Sequence, residues 1–519
     1  MALGGAGVVA LATFGALQLR SGENAGSDAS PLANRATTTT TQTAPPATLP
    51  RLAAPYSQAI TDENRKPGTA AWRLTHDGAP HDIEGYLSAT SAQRGESVDV
   101  YATTVSPSFT IEAYRMGWYQ GLGGRLVWTS APVPGKVQAR ATLISATNTY
   151  EAHWDKSTSI AITDEWPVGS YLLKLVGATG VQRWVPLTVR DDASTAAYAI
   201  VDAVTSWQAY NRWGGCSLYD CHGGGHGDRA KVVSFDRPYD AADGSADFVG
   251  NELPLIMRAE ERGLDVTYMT SLDVHQRPLL LQKHKAMLSL GHDEYWSKSM
   301  VDGAQAARDA GVNLAFFGAN AIYRQVRFEP SPIAVDRHMV NYRSTADPIR
   351  ATDPAQTTVS FRESPVNRPE ARLIGEQYQC NPVRADMIVS AAGSWIWAGT
   401  GLTDGQHLEI GVGSEYDQYI HGQGGPDNVE IVAHSPVNCR GHAGFSDATY
   451  YTAASGAGVF ASGTNYWVSK LMPPDFPQTA YNQKVVDATM NVLIAFGIGP
   501  SGVAHPSVPN WRGLPGTGG

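Results

Sequence analysis

The stretch HKAMLSLGHDEYWS, residues 284–297, decides the fold. An apolar run, Ala286–Leu290, stops at Gly291, and five side chains able to do chemistry follow at once: His292, Asp293, Glu294, Tyr295 and Trp296. A helix-like pattern begins at about Ser297. A buried strand that breaks at a glycine and opens into a helix is the site geometry of an open α/β sheet, where polar groups at the strand's carboxyl end border a crevice. The helix N-terminus behind them favours negative charge.

Working outward, strand and helix patterns alternate from about Ala196. Ala197–Val204, Asp265–Thr270, Ala286–Leu290 and Asn313–Phe317 read as strands, and Leu253–Gly263 and Ser297–Ala310 as helices ending in or before glycine. This predicts a parallel, doubly wound sheet with right-handed connections. Upstream, from about Ala70 to Arg190, the pattern is all-β. Short strands at Asp82–Ala89, Ser97–Thr104, Phe109–Tyr114, Arg125–Trp128, Ser170–Val176 and Gln182–Val189 are punctuated by Gly, Pro and Asn, which suggests a β-sandwich. The last third, about Asp347–Thr464, is richer in glycine, tryptophan and short strands and is expected to wrap the sheet. Val485–Phe496 reads as a closing, buried helix. The resulting division is 1–20 apolar segment, 21–69 linker, 70–194 β-sandwich, 195–500 α/β domain and 501–519 flexible tail.

Bulk composition narrows the setting. A chain of 519 residues exceeds one ordinary core. Only 17% of residues are charged, with 53 Gly, 31 Pro and 13 Trp, which suits a loop-rich exported protein. The net charge is −10 and no Lys/Arg cluster builds a basic face, so general nucleic-acid binding is excluded. Met1–Leu19 has the character of a signal-peptide h-region or a single membrane anchor. The Ser/Thr/Pro tract to about Pro55 reads as flexible linker. Export, to the medium or the cell envelope, accounts for both. Of the four cysteines, Cys216 with Cys221 and Cys380 with Cys439 are the favoured disulfides. A zinc site from Cys216, Cys221, His222 and His226 is the competing reading.

Three strand ends carry clustered polar groups: Thr205–Tyr219, His292–Trp296 and Gly318–Tyr323. In a doubly wound sheet they meet along one edge, where Glu415, Asp417 and Asn465 can cap the cleft. His292 can serve as acid, base or ligand. Glu294 and Glu415 can activate water, and Tyr295 can donate a hydrogen bond or, as phenolate, hold a hard cation. Asp293 completes the catalytic set. Trp207, Tyr210, Asn211, Trp296, Asn320 and Tyr323 are the candidate substrate contacts. Alternatively, His292 and Asp293 merely cap the helix while Tyr295 and Trp296 fill the core. The turn G-H-D-E-Y lacks a Ser or Cys at its apex, so a nucleophile-elbow mechanism is disfavoured.

The blocks YRMGWYQGLGG, SWQAYNRWGG, VSFDRPY, GHDEYWS and NLAFFGANAIYRQVRF, in that order, resemble the large (beta) subunit of N,N-dimethylformamidase and its relatives, over roughly Ala70–Phe496. The resemblance implies a β-sandwich followed by a class I glutamine-amidotransferase-like α/β domain without the catalytic cysteine. It also implies hydrolysis of a small amide at one iron held by two tyrosines and a glutamate. Tyr295 and Tyr210 are the tyrosines to which that role carries over, and Glu415, in a G-x-E-x-D block, is the glutamate.

Two functions follow. The first is an exported hydrolase of C–N bonds in a small or cell-envelope amide. The second is a secreted or surface protein whose aromatic cleft (Trp118, Trp207, Trp213, Trp296) binds a carbohydrate without turning it over.

Overall fold

The computed structural model describes residues 53–79, 81–223, 226–474, 476 and 481–518. The apolar segment and most of the Ser/Thr/Pro tract lie outside the described residues. The fold is mixed α/β, with many sheets, few helices and mostly β structure.

The central sheet has seven strands in the order Val266–Thr270, Tyr198–Asp202, Ala286–Gly291, Asn313–Gly318, Gly458–Ala461, His442–Thr452, Glu430–Cys439. The first five are parallel and the last two antiparallel. Ala286–Gly291 and Asn313–Gly318 are buried throughout, as expected of strands covered on both faces. Successive residues alternate between two cores. Leu288, Leu290, Ala315 and Phe317 join one, with Leu255 and Ile256 of helix Leu253–Glu261 and Val485 and Leu493 of helix Gln483–Ile498. Met287, Leu314 and Phe316 join the other, with Met300, Ala304 and Ala307 of helix Lys298–Asp309. The last third therefore extends the sheet as well as wrapping it.

Upstream, a three-stranded and a six-stranded sheet share a core. Ile83, Val98, Val100 and Ile160 come from one, and Ile111, Leu173, Leu175 and Leu187 from the other. The opposite face of the larger sheet (Tyr114, Met116, Leu172) packs into the α/β core. Arg115 and Glu260, both fully buried, lock this contact at 2.5 Å. Residues Arg51–Gly519 form one compact unit.

Two expectations of loose chain are corrected. A helix, Gln58–Arg65, stands where composition reads as linker. It is anchored because Asn64 donates to Glu260 (2.9 Å) and Glu63 accepts from Arg125 (2.7 Å) and Tyr119 (2.9 Å). The C-terminal tail is likewise held, since Trp511 is buried, stacks on His421, and donates to the Asp427 carbonyl. Disulfides join Cys216 to Cys221 and Cys380 to Cys439, which leaves no thiolate for a zinc site at the first pair. Among the described residues no helix is long and apolar enough to cross a membrane.

Candidate functional site

Two glycines bring the strand ends together. Gly291 has φ +59°, and a Cβ there would meet Asn251 at 2.5 Å. A Cβ on Gly318 would sit 1.5 Å from the Gly291 carbonyl oxygen. Only glycine permits this approach, so the two segments that follow leave the sheet side by side. Ile322 amide donates to the Asp293 carbonyl (3.1 Å) and Arg324 amide to the Glu294 carbonyl (2.9 Å). Tyr295–Ser297 then pairs in parallel with the strand Arg324–Glu329 rather than entering the helix at once. Ser297 caps helix Lys298–Asp309 by accepting from the Met300 amide. Asn320 and Ile322 both take positive φ, 60° and 59°. For a β-branched residue that is a strained conformation, which only a well-tied loop sustains. Asp417 and Asn465 supply the ties, accepting from the amides of Asn320 and Ala319, each at 2.8 Å.

Glu294 is the hub. Its Oε2 accepts from Tyr210 Oη at 2.7 Å and Tyr219 Oη at 2.6 Å, and the two phenol oxygens lie against each other. Tyr210 ends the helix Val204–Tyr210. Tyr219 lies inside the Cys216–Cys221 loop, which the Leu218 amide ties to the Ala209 carbonyl at 3.0 Å. Tyr295 meets both rings edge-on, at 6.3 and 6.5 Å between centroids, and its hydroxyl accepts from Arg343. His292 Nε2 is 3.1 Å from Glu415 Oε2 and 3.6 Å from Glu294 Oε2. Glu415 comes from the strand His407–Gln418, and Asn381 on the paired strand donates to its Oε1 at 2.6 Å. Cys380, beside Asn381, is tied to Cys439.

The electrostatics follow from burial and pairing. Burial alone would lower the His292 imidazole, but the carboxylates of Glu415, Glu294 and Asp247 outweigh it and raise it to about 9. Burial would raise Glu415, yet the same histidine and its hydrogen bonds hold it below the ordinary carboxylate range. The two therefore form an ion pair at neutral pH. Burial, and then the Glu294 charge, push the phenols of Tyr210 and Tyr219 far up. Burial raises Asp293 to about 6, and its Oδ2 accepts from Ser289.

His292, Glu294, Tyr295, Tyr210 and Glu415 thus come together, and Asn320 and Tyr323 border them. Tyr323 lies against Tyr378 at 5.1 Å between centroids. Trp207, Asn211 and Trp296 sit elsewhere. Trp207 donates to Glu252 at 2.9 Å, Asn211 organises its own loop through Gln208 and Pro238, and Trp296 packs on Phe316. Trp118, Trp207, Trp213 and Trp296 are spread over three hydrophobic clusters rather than one cleft. Reasoning from the sequence missed Tyr219, Asn381 and Arg343. Tyr219 closes the polar block after the first strand and Asn381 follows a paired cysteine, whereas nothing in the sequence marks Arg343.

These features define an α/β protein whose candidate site, at the carboxyl edge of a parallel sheet, is built from buried phenols and carboxylates. The family described as N,N-dimethylformamidase beta subunit-like, C-terminal, matches residues 110–482, and the chain belongs to it. No match was found among curated proteins. One solved structure that aligns is a cycloisomaltooligosaccharide glucanotransferase of Paenibacillus sp. in complex with cycloisomaltoheptaose. It is 9% identical, with 47% of this chain and 28% of that chain covered and a TM-score of 0.15. A likeness that weak carries no argument about fold or ligand.

Proposed function

We propose that the protein is an exported hydrolase of C–N bonds in amides, built as a β-sandwich followed by an amidotransferase-like α/β domain. The observation that carries this reading is the convergence of Tyr210, Tyr219 and Glu294 on one point beside the His292–Glu415 ion pair. Family membership points the same way. The two disulfides suit an oxidising compartment.

The family resemblance implies iron, and the donor set fits it: two phenol oxygens and one carboxylate oxygen, all hard donors within hydrogen-bond distance of one another. On this reading Tyr210, Tyr219 and Glu294 hold the ion, and Tyr295 and Glu415 stand beside them. Bound there, iron supplies a Lewis acid for a carbonyl or a water. The chain's own groups do the rest. Glu415, kept ionised by His292, accepts a proton from the attacking water. His292, kept charged by Glu415, gives a proton to the leaving nitrogen. Water adds to the carbonyl carbon, the C–N bond breaks, and a carboxylic acid and an amine leave. Asn381 fixes the Glu415 carboxylate in place.

The test is the iron content and visible spectrum of the purified chain, with turnover of small formamides and acetamides. Near-stoichiometric iron, a tyrosinate charge-transfer band weakened by Tyr219→Phe and lost when Tyr210→Phe is added to it, and release of amine are expected. A protein that takes up no iron on reconstitution and releases no amine refutes the reading.

A further inference from the structure

Three guanidiniums gather on one side of the Glu294–tyrosine cluster. Arg343 donates to Tyr295 Oη and lies 4.2 Å over the Tyr219 ring. Arg324 Nε is 3.8 Å from Glu294 Oε1, its Nη1 donates to Ser360 Oγ at 3.1 Å, and it lies 4.4 Å over the Tyr323 ring. Arg229 Nη2 donates to the Tyr342 carbonyl at 2.8 Å. Each is partly buried but reaches solvent. Burial first, and then the charges of Arg343 and Arg324, depress Arg229.

Among the described residues, Arg324 has Glu294 as its carboxylate partner, and Arg343 has a phenol and two ring faces. The buried Nε of Arg324 and of Arg343 lack a hydrogen-bond acceptor. Like charges brought together in a half-buried place, with donors left over, cost stability unless an anion joins them.

We propose that Arg324 and Arg343, with Arg229 behind them, form a carboxylate-binding subsite beside the reactive cluster, so that the substrate is an anionic amide such as an N-acyl amino acid. This rests on the amidase reading for the identity of the neighbouring group, and on the arginines alone for the anion. A planar guanidinium matches a carboxylate in two parallel hydrogen bonds. The amide carbonyl of an N-acyl amino acid lies a few bonds from its carboxylate. It can therefore reach the Glu294 side while the acid end stays with the arginines.

The test compares N-formylglycine with its neutral isostere N-formylglycinamide by calorimetric titration of the purified full chain at low and high salt. The acid is expected to bind about tenfold tighter or more, because charge-assisted hydrogen bonds replace neutral ones. The gap should narrow with salt. Arg324→Gln and Arg343→Gln should each erase most of it, read as the ratio of the two affinities within each variant. Equal affinity for the two compounds, no acid binding at millimolar concentration, or unchanged preference in both variants overturns the proposal. Should Arg343→Gln fail to fold, the wild-type comparison and Arg324→Gln still decide. Binding is read without turnover. Acid preference with no hydrolysis keeps the subsite and sinks the amidase reading, whereas hydrolysis of both compounds with no preference does the reverse.

Discussion

Removing the Cys380–Cys439 disulfide should cost far more stability than removing Cys216–Cys221, although both tether the candidate site. The two bonds close loops of very different length, with sequence separations of 59 and 5. Chain-entropy reasoning puts the constraint on the unfolded state at about 4 kcal/mol for the long loop and about 2 kcal/mol for the short one. The perturbation is a pair of double variants, Cys380→Ala with Cys439→Ala and Cys216→Ala with Cys221→Ala. The assay is equilibrium guanidinium unfolding, with each variant's stability taken from its own slope and midpoint, because freeing the cross-link expands the unfolded chain and steepens the slope. The long-loop variant should lose roughly twice as much as the short-loop one. Function should follow a different order. Tyr219 sits inside the short loop and contacts Glu294 directly, so the short-loop variant should lose amide turnover out of proportion to its stability. Equal stability losses in the two variants, or a larger loss for the short loop, would refute the entropic reasoning.

Other outcomes follow from single contacts. Gly318→Ala should abolish soluble expression or cost about 3 kcal/mol, since the new methyl meets the Gly291 carbonyl oxygen at 1.5 Å; a melting temperature near wild type would count against the strand-end geometry. Glu415→Gln should lower kcat about 10²- to 10⁴-fold with folding intact, and a rate within threefold of wild type would remove it as the base. Asp202 is buried beside Glu252, and burial raises it from 3.8 to about 6. Because the folded state binds this proton more tightly than the unfolded chain, its stabilising effect is complete below about pH 4 and is lost as pH rises through 6. Asp202→Asn should flatten that decline in denaturant titrations at pH 4 and 7, and an unchanged slope against pH would show that the group is not the source.

Much of the α/β part is legible in the sequence because its strands are buried on both faces. Ala286–Leu290 and Asn313–Phe317 read as short apolar runs closed by glycine, and the structure places them adjacent and parallel. The antiparallel extension by His442–Thr452 and Glu430–Cys439 is not legible in the same way. Those strands mix Ser, Asp, His and Thr with apolar residues, and their polar groups are satisfied by pairings that spacing does not reveal, as Asp447 is by His434 across the hairpin and by the Tyr419 amide. The helix Gln58–Arg65 is hidden for a related reason. Its composition is polar, and what holds it is a set of buried hydrogen bonds to Glu260, Arg125 and Tyr119, none of them near in sequence.

The site divides along the same line. Residues that sit on a strand end announce themselves, because a glycine and a run of polar groups after an apolar stretch have few structural explanations. His292, Glu294 and Tyr295 belong to that class. Which oxygens meet is a different question, since it depends on loops that sequence spacing does not rank. Tyr219 reaches Glu294 because a six-residue disulfide loop folds back on the helix that carries Tyr210. Arg343 reaches Tyr295 from a residue with φ 51°, a backbone state that no periodicity predicts. Glu415 reaches His292 because the hairpin that carries it is stapled through Cys380. In each case a covalent bond or an unusual backbone angle, rather than burial of an apolar face, delivers the reactive group. The disulfides and the left-handed residues therefore belong to the candidate site as much as the carboxylates do.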